Sequence, residues 1–205
     1  MLRPTITLSY AQSLDGSIAA RRGQFLPLSG EPALTMTHRL RAEHDAILVG
    51  IGTVLADNPE LTVRYVEGES PQVVVLDSQL RTPLDANVVK NGGWIVGEWR
   101  AGRERRKHLE EAGATVRLFS AEKGYIPLDQ MLTWLYEKGV RSLMVEGGAR
   151  VITSFLRAGL VNRAVITISP QFVGGFQALE GSVGARLQQV KVSQLGDDII
   201  IEGQL

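Results

Sequence analysis

Short apolar runs recur along the chain, and nearly every one gives way to a stretch with helical spacing. That alternation restricts the fold more than any other feature. Ala46 to Gly50, Val73 to Leu76, Trp94 to Gly97, Thr115 to Phe119 and Ser142 to Glu146 are too short for helices and suit buried strands. Thr5 to Tyr10 and Val165 to Ile168 read the same way. Between them the pattern predicts helices over 31–43, 52–56 and 101–112. Two more follow apolar stripes, one on Leu128, Met131, Leu132 and Leu135, the other on Val151, Ile152, Phe155 and Leu156. Ser29 is read as the N-cap of the first helix, with Pro32 in its first turn. The tail alternates instead, and 189–192 with 198–202 form a hairpin around Gly196-Asp197. Such a βα alternation implies an α/β fold in one domain over residues 1–205. Its central sheet is mainly parallel, with helices on both faces and a C-terminal antiparallel hairpin.

Composition removes several function classes. The chain has no cysteine, which excludes disulfides, thiolate nucleophiles, iron–sulfur clusters and cysteine-based zinc sites. His38, His44 and His108 have no metal-ligand spacing, so no metal is expected. Basic and acidic residues balance at 22 each, which argues against nucleic acid and against a polybasic membrane surface as partners. The start of the chain has no apolar run of signal-peptide or membrane-span length, so a cytoplasmic protein is expected. Of the basic residues 17 are Arg and 5 Lys. The planar guanidinium suits phosphate, although genome composition produces the same bias.

Three strand ends carry residues that suit anions. In Val145-Glu146-Gly147-Gly148-Ala149-Arg150 a strand passes through two glycines into a helix, whose N-terminal N–H groups suit a pyrophosphate. A plain tight turn has the same sequence. In Gly50-Ile51-Gly52-Thr53 a second buried strand meets glycines at a helix start, and Asp57-Asn58-Pro59 ends that helix. Arg41 and Arg64 bracket this segment and could clamp a phosphate or simply be solvated. Leu76-Asp77-Ser78-Gln79-Leu80-Arg81 offers Ser and Arg for a monophosphate, or is an Asx-type turn. Asp15-Gly16 reads as a structural turn. The Rossmann fingerprint and the P-loop are both absent. No nucleophilic triad and no paired carboxylates stand out, so a cofactor is expected to carry the chemistry.

SLDGSIA, LRAEHDAILVGIGTVLADNPELTVR, VVLDSQLRTP, VEGGARVITSFLRAGLVNR and ISPQFVGG, in this order, resemble the riboflavin-biosynthesis pyrimidine reductase family. The resemblance spans about residues 4 to 203 and implies a dihydrofolate-reductase-like fold, NADPH as cofactor and a homodimer. It implies cofactor contacts at Ala11, Thr53, Asp57, Ser78, Arg81, Gly147, Gly148, Ala149 and Arg150, continuing through Val151 and Ile152 to Thr153. Substrate contacts would come from Ser9, Arg41, Leu61, Arg64 and Glu146, with the arginines at a ribose 5-phosphate. Asp57, Glu146 and water are the candidate proton donors, and the catalytic residue stays open. Bacterial members are often fused to a zinc deaminase that needs cysteines, so a stand-alone reductase is expected. Where fused forms carry Lys in the first strand, this chain has Ser9, which can accept as well as donate. That favours the substrate still bearing its amino group, 2,5-diamino-6-ribosylamino-4(3H)-pyrimidinone 5′-phosphate, over the deaminated uracil form. A non-catalytic nucleotide-binding relative is the alternative of a different class.

Overall fold

A computed structural model describes residues 2–121 and 125–205. The all-buried run Ala46–Gly50 (β3) and its counterpart Ser142–Gly147 (β7) lie side by side near the middle of a nine-stranded sheet. Thr5–Ser13 (β1) flanks β7, and Arg163–Ser169 (β8) lies beyond it. On the other side of β3 come Gln72–Leu76 (β4), Trp94–Glu98 (β5) and Thr115–Phe119 (β6). All these neighbours pair parallel. Asp198–Gln204 (β11) pairs antiparallel with β8, and Gln188–Leu195 (β10) closes that edge as the predicted hairpin. Ser17–Ala19 (β2) and Phe176–Gln177 (β9) form a separate two-stranded pair, too short to show a period in the sequence.

Helices cover both faces. Glu31–Ala42 (α1), Ile51–Asp57 (α2), Asn87–Lys90 (α3) and Arg103–Glu111 (α4) bury Leu40, Val54, Val88 and Leu109 against Ile47, Val49, Val75 and Ile95. Leu128–Glu137 (α5) and Ala149–Arg157 (α6) bury Met131, Leu135, Ile152 and Phe155 against Leu8, Leu48, Val74 and Val145 on the opposite face. Each wholly buried Leu, Ile or Val contributes about 1.5–3 kcal/mol, so these two layers dominate the stability.

Local details depart from the sequence reading. Ser29 is not the cap of α1: Gly30 is, without a side-chain cap, and its N–H donates to Asp198 Oδ2 at 2.7 Å. A residue of the distant hairpin thus holds the helix entrance. The helix expected over 101–112 is split, because Gly102 at φ +92° breaks the chain between a 3₁₀ turn at Trp99–Ala101 and α4. Helix α3 was not anticipated; it is a single turn.

Asp15-Gly16 is a structural turn with a specific task. The Asp15 carboxylate accepts from the Ser13 and Ser17 hydroxyls at 2.7 and 2.6 Å and from the Val173 and Gly174 N–H groups at 2.8 and 2.9 Å. These bonds hold its pKa far below the usual carboxylate range. They tie the end of β1 to the loop after β8. Asp15→Ala is expected to lower the melting temperature by several degrees. Hydrogen exchange should then rise at Val173 and Gly174, and unchanged exchange there would refute the tie.

Candidate active site

The direction of winding reverses between β7 and β3. From β3 the chain enters α2 on one face and proceeds to β4; from β7 it enters α6 on the other face and proceeds to β8. The two carboxyl ends therefore open a crevice, the place where open α/β sheets bind ligands.

Two glycine turns line it. Gly147 and Gly148 have φ of +148° and +88°, conformations costly for any other residue. A Cβ on Gly148 would sit 3.5 Å from Thr53 Oγ1, so the turns after β7 and β3 lie against one another. A Cβ on Gly50 would come within 2.9 Å of Val151 Cγ2, so glycine there lets α6 seat. Helix α6 has no side-chain cap, and its first bond runs from the Ile152 N–H to the Gly148 carbonyl at 3.0 Å. The N–H groups of Ala149, Arg150 and Val151 precede that bond and are the free donors of a helix start. The side chains of Ala149, Val151, Ile152 and Thr153 are buried in the core. Only their backbone can face a ligand, and the Thr153 hydroxyl already accepts the Glu180 N–H at 2.8 Å. Arg150 is exposed, 3.8 Å from Glu180.

Glu146 sits at a β-bulge. Leu48 pairs with Val145 and Val49 with Gly147, so Glu146 is the extra residue of β7. Its carboxylate receives a two-pronged grip from Arg41, Nε to Oε2 at 2.8 Å and Nη2 to Oε1 at 2.5 Å. Arg41 is 9% exposed, and its Nη1 also donates to the Thr62 carbonyl at 3.0 Å. Removing one partner of so buried a pair typically costs about 3–5 kcal/mol. Ser9 follows Leu8, which pairs with Val145, so Ser9 and Glu146 come next in line on neighbouring strands. The Ser9 side chain is buried, and its hydroxyl has no hydrogen-bond partner among the described residues.

Arg64 is half exposed and reaches the Glu60 carboxylate. Leu61 is buried with φ +57°. Asp57 ends α2, and desolvation raises its pKa. Ala11 lies half-buried in β1, paired with Thr167. At the end of β4, Asp77 Oδ2 accepts from the Thr82 N–H and hydroxyl at 2.7 and 2.8 Å, while Oδ1 faces Arg81 Nε at 4.0 Å. The segment is thus an Asp-built turn, and it leaves Ser78 and Arg81 exposed.

The residue that sequence reasoning missed is His38, one turn before Arg41 on α1. It is 2% exposed, accepts the Arg64 N–H on Nδ1 at 2.9 Å and meets the Tyr65 ring edge-on at 4.6 Å. Burial, then the charges of Arg41 and Arg64, push its pKa down to about 4. The only sequence signal was the i, i+3 spacing of His38 and Arg41. His44, by contrast, is structural, with its ring between the Leu40 carbonyl and the Thr7 hydroxyl. Among the described residues no cluster of potential metal ligands exists, and no helix is long and apolar enough to cross a membrane.

The nine-stranded sheet and its switch-point crevice define an α/β protein with the dihydrofolate-reductase-like fold. The chain belongs to the RibD C-terminal domain family, whose profile matches residues 4–201. It is 40% identical over 185 residues to the 2,5-diamino-6-ribosylamino-4(3H)-pyrimidinone 5′-phosphate reductase of Archaeoglobus fulgidus, covering 85% of this chain and 84% of that one. It is 36% identical to the protein of the same name from Methanothermobacter thermautotrophicus, covering 98% of each. The riboflavin biosynthesis protein RibD of Aquifex aeolicus is 36% identical over 97% of this chain, which spans only 57% of that relative's length. Among solved structures, the Saccharomyces cerevisiae riboflavin biosynthesis reductase Rib7 superposes with a TM-score of 0.80 at 30% identity, covering 99% of this chain and 90% of that one.

The His38 pKa yields a prediction about stability. The unfolded chain protonates this imidazole near pH 6.5, whereas the folded protein resists protonation down to about pH 4. Its contribution is complete above the first value and is lost as pH falls toward the second. Melting temperatures should decline over that interval, and His38→Asn should flatten the decline. Parallel pH profiles for the two proteins would contradict this.

Proposed function

We propose that this chain is an NADPH-dependent reductase of riboflavin biosynthesis. It converts the ribosylamino side chain of 2,5-diamino-6-ribosylamino-4(3H)-pyrimidinone 5′-phosphate to ribitylamino. The observation that carries this reading is the bulged Glu146, held by Arg41 directly beside the glycine turns of the switch-point crevice. The names of the archaeal relatives and of the Rib7 structure support the same activity.

The crevice residues fit a pyridine dinucleotide. Gly147 and Gly148 leave the backbone bare, and the free N–H groups at the start of α6 suit a pyrophosphate. Thr53 on the facing turn, and Ser78 and Arg81 on the next strand end, would complete the binding surface. When bound, the cofactor supplies the hydride. The chain's own residues bind, orient and exclude water.

Arg64, half exposed and, among the described residues, held by Glu60 alone through its guanidinium, is the anchor free to take the ribose 5-phosphate. Arg41 uses three of its five N–H donors on Glu146 and Thr62 and keeps two. Its grip fixes the Glu146 carboxylate as an acceptor for amino or N–H groups of the pyrimidine. The unpartnered Ser9 hydroxyl can accept from an amino group where a lysine could only donate, which favours the diamino substrate. Asp57, its pKa raised by desolvation, is the candidate to hold a transferable proton. The protein is read as a cytoplasmic homodimer with a phosphorylated pyrimidine as its small-molecule partner. Sedimentation at several concentrations tests the dimer.

Nicotinamide absorbance loss with each of the two pyrimidine phosphates is the direct test. Turnover is expected with both reactants present and preference for the diamino form. Preference for the deaminated form would reverse the substrate assignment, and no turnover with either would leave a nucleotide-binding protein. Arg64→Ala should raise KM for the pyrimidine by about 10–100-fold, the loss of one charge-assisted contact, with little change in KM for NADPH. Equal effects on both would move Arg64 out of the substrate site. Gly148→Val should abolish NADPH binding in a calorimetric titration, and unchanged affinity would remove this turn from the cofactor site.

A further inference from the structure

The segment that carries Arg64 has no regular secondary structure between α2 and β4, so its own backbone ladder cannot place it. Three consecutive residues are instead each pinned by a side chain. Arg41 Nη1 donates to the Thr62 carbonyl at 3.0 Å, the Ser70 hydroxyl receives the Val63 N–H at 3.0 Å, and His38 Nδ1 receives the Arg64 N–H at 2.9 Å. Ser70 is exposed, whereas His38 and Arg41 are buried on α1. The last pin therefore sits in rigid surroundings, directly at the residue whose side chain must reach the substrate.

The tautomer of His38 follows from this bond. A backbone N–H can only donate, so Nδ1 accepts and the neutral ring carries its proton on Nε2. Nε2 lies 3.5 Å from Arg41 Nη1, donor beside donor, and so the imidazole takes no hydrogen bond away from Arg41. One ring thus seats the Arg64 backbone and leaves the Arg41 donors available. The Tyr65 ring packs edge-on with the imidazole, 4.6 Å between centroids, and adds an aromatic contact to this seat.

We propose that His38 is a positioning residue of the substrate's anion site, holding the Arg64 backbone through Nδ1 so that Arg64 and Arg41 meet a phosphate monoester in one fixed arrangement. This rests on the reading of the two arginines as the phosphate anchor. His38 touches neither substrate nor cofactor in this role and acts through Arg64.

Three substitutions separate the two ring nitrogens. Asn places its carbonyl oxygen near the Nδ1 position and keeps the acceptor. Gln reaches the Nε2 position and loses it, and Leu offers neither. His38→Gln and His38→Leu are expected to raise KM for the pyrimidine phosphate about tenfold or more, while kcat and KM for NADPH move less than about threefold. His38→Asn is expected to restore KM to within about threefold of the parent protein. Calorimetric titration with ribose 5-phosphate should show the same order of affinities. If the Leu variant does not fold, the Asn and Gln pair still decides. A parent-like KM in the Leu or Gln variant, an impaired Asn variant beside a normal Gln variant, or a parallel rise in both KM values would each overturn the proposal. A parent protein that binds ribose 5-phosphate yet reduces neither pyrimidine would sink the proposed reaction alone, and the His38 series would then be read from the binding constants. Absence of phosphosugar binding in the parent would overturn both.

Discussion

Parallel strands can be joined only by crossovers that lie on the faces of the sheet, and here the crossovers reverse direction between β3 and β7. Everything that looks functional depends on that reversal. It separates α2 and α6 onto opposite faces and leaves their N-termini on either side of one crevice. Glycine is then favoured where the two turns touch, because a Cβ at Gly50 would collide with Val151 and the backbone at Gly148 runs at φ +88°. The winding thus dictates where the backbone must be bare, and bare backbone at a helix start is what a phosphate group needs.

Around this crevice the polar chemistry is built by one helix acting across the sheet. Helix α1 packs on the same face as α2 and carries both His38 and Arg41. Arg41 reaches the bulged Glu146 on β7 and the Thr62 carbonyl, while His38 reaches the backbone of Arg64. A single rigid element therefore sets a carboxylate on one side and an arginine-bearing loop on the other. The fork between Arg41 and Glu146 removes two charges from water together, which neither side chain could tolerate alone at such low exposure.

The βα alternation was legible from the chain alone because strands buried on both faces are continuous apolar runs, and these stand apart from the 3.6-residue period of α5 and α6. The hairpin β10–β11 was legible from its alternation and its Gly196-Asp197 turn. Ser29 was misjudged as a cap because Asp198, 168 residues away, supplies the bond to Gly30 instead. The pair β2–β9 left no trace, since two- and three-residue strands are too short for any period. The glycine turns could be read from sequence as phosphate cradle or plain turn. Their contact through Thr53, which tells the two turns apart from isolated ones, is a distance between segments nearly a hundred residues apart.

What the sequence by itself determined is the set of local instructions: which runs are strands, which faces of helices are apolar, where glycine permits positive φ, and which side chains could meet an anion. What only the tertiary structure decided is who those side chains meet. Arg41 and Arg64 look equivalent in the sequence. Folding gives Arg41 a buried carboxylate and a backbone carbonyl, and leaves Arg64 half in solvent beside Glu60. His38 carries no motif at all, yet it becomes the buried neutral acceptor between them. The physical reason is that hydrogen bonds and desolvation depend on three-dimensional proximity, whereas hydrophobic periodicity and backbone preference are properties of neighbours along the chain.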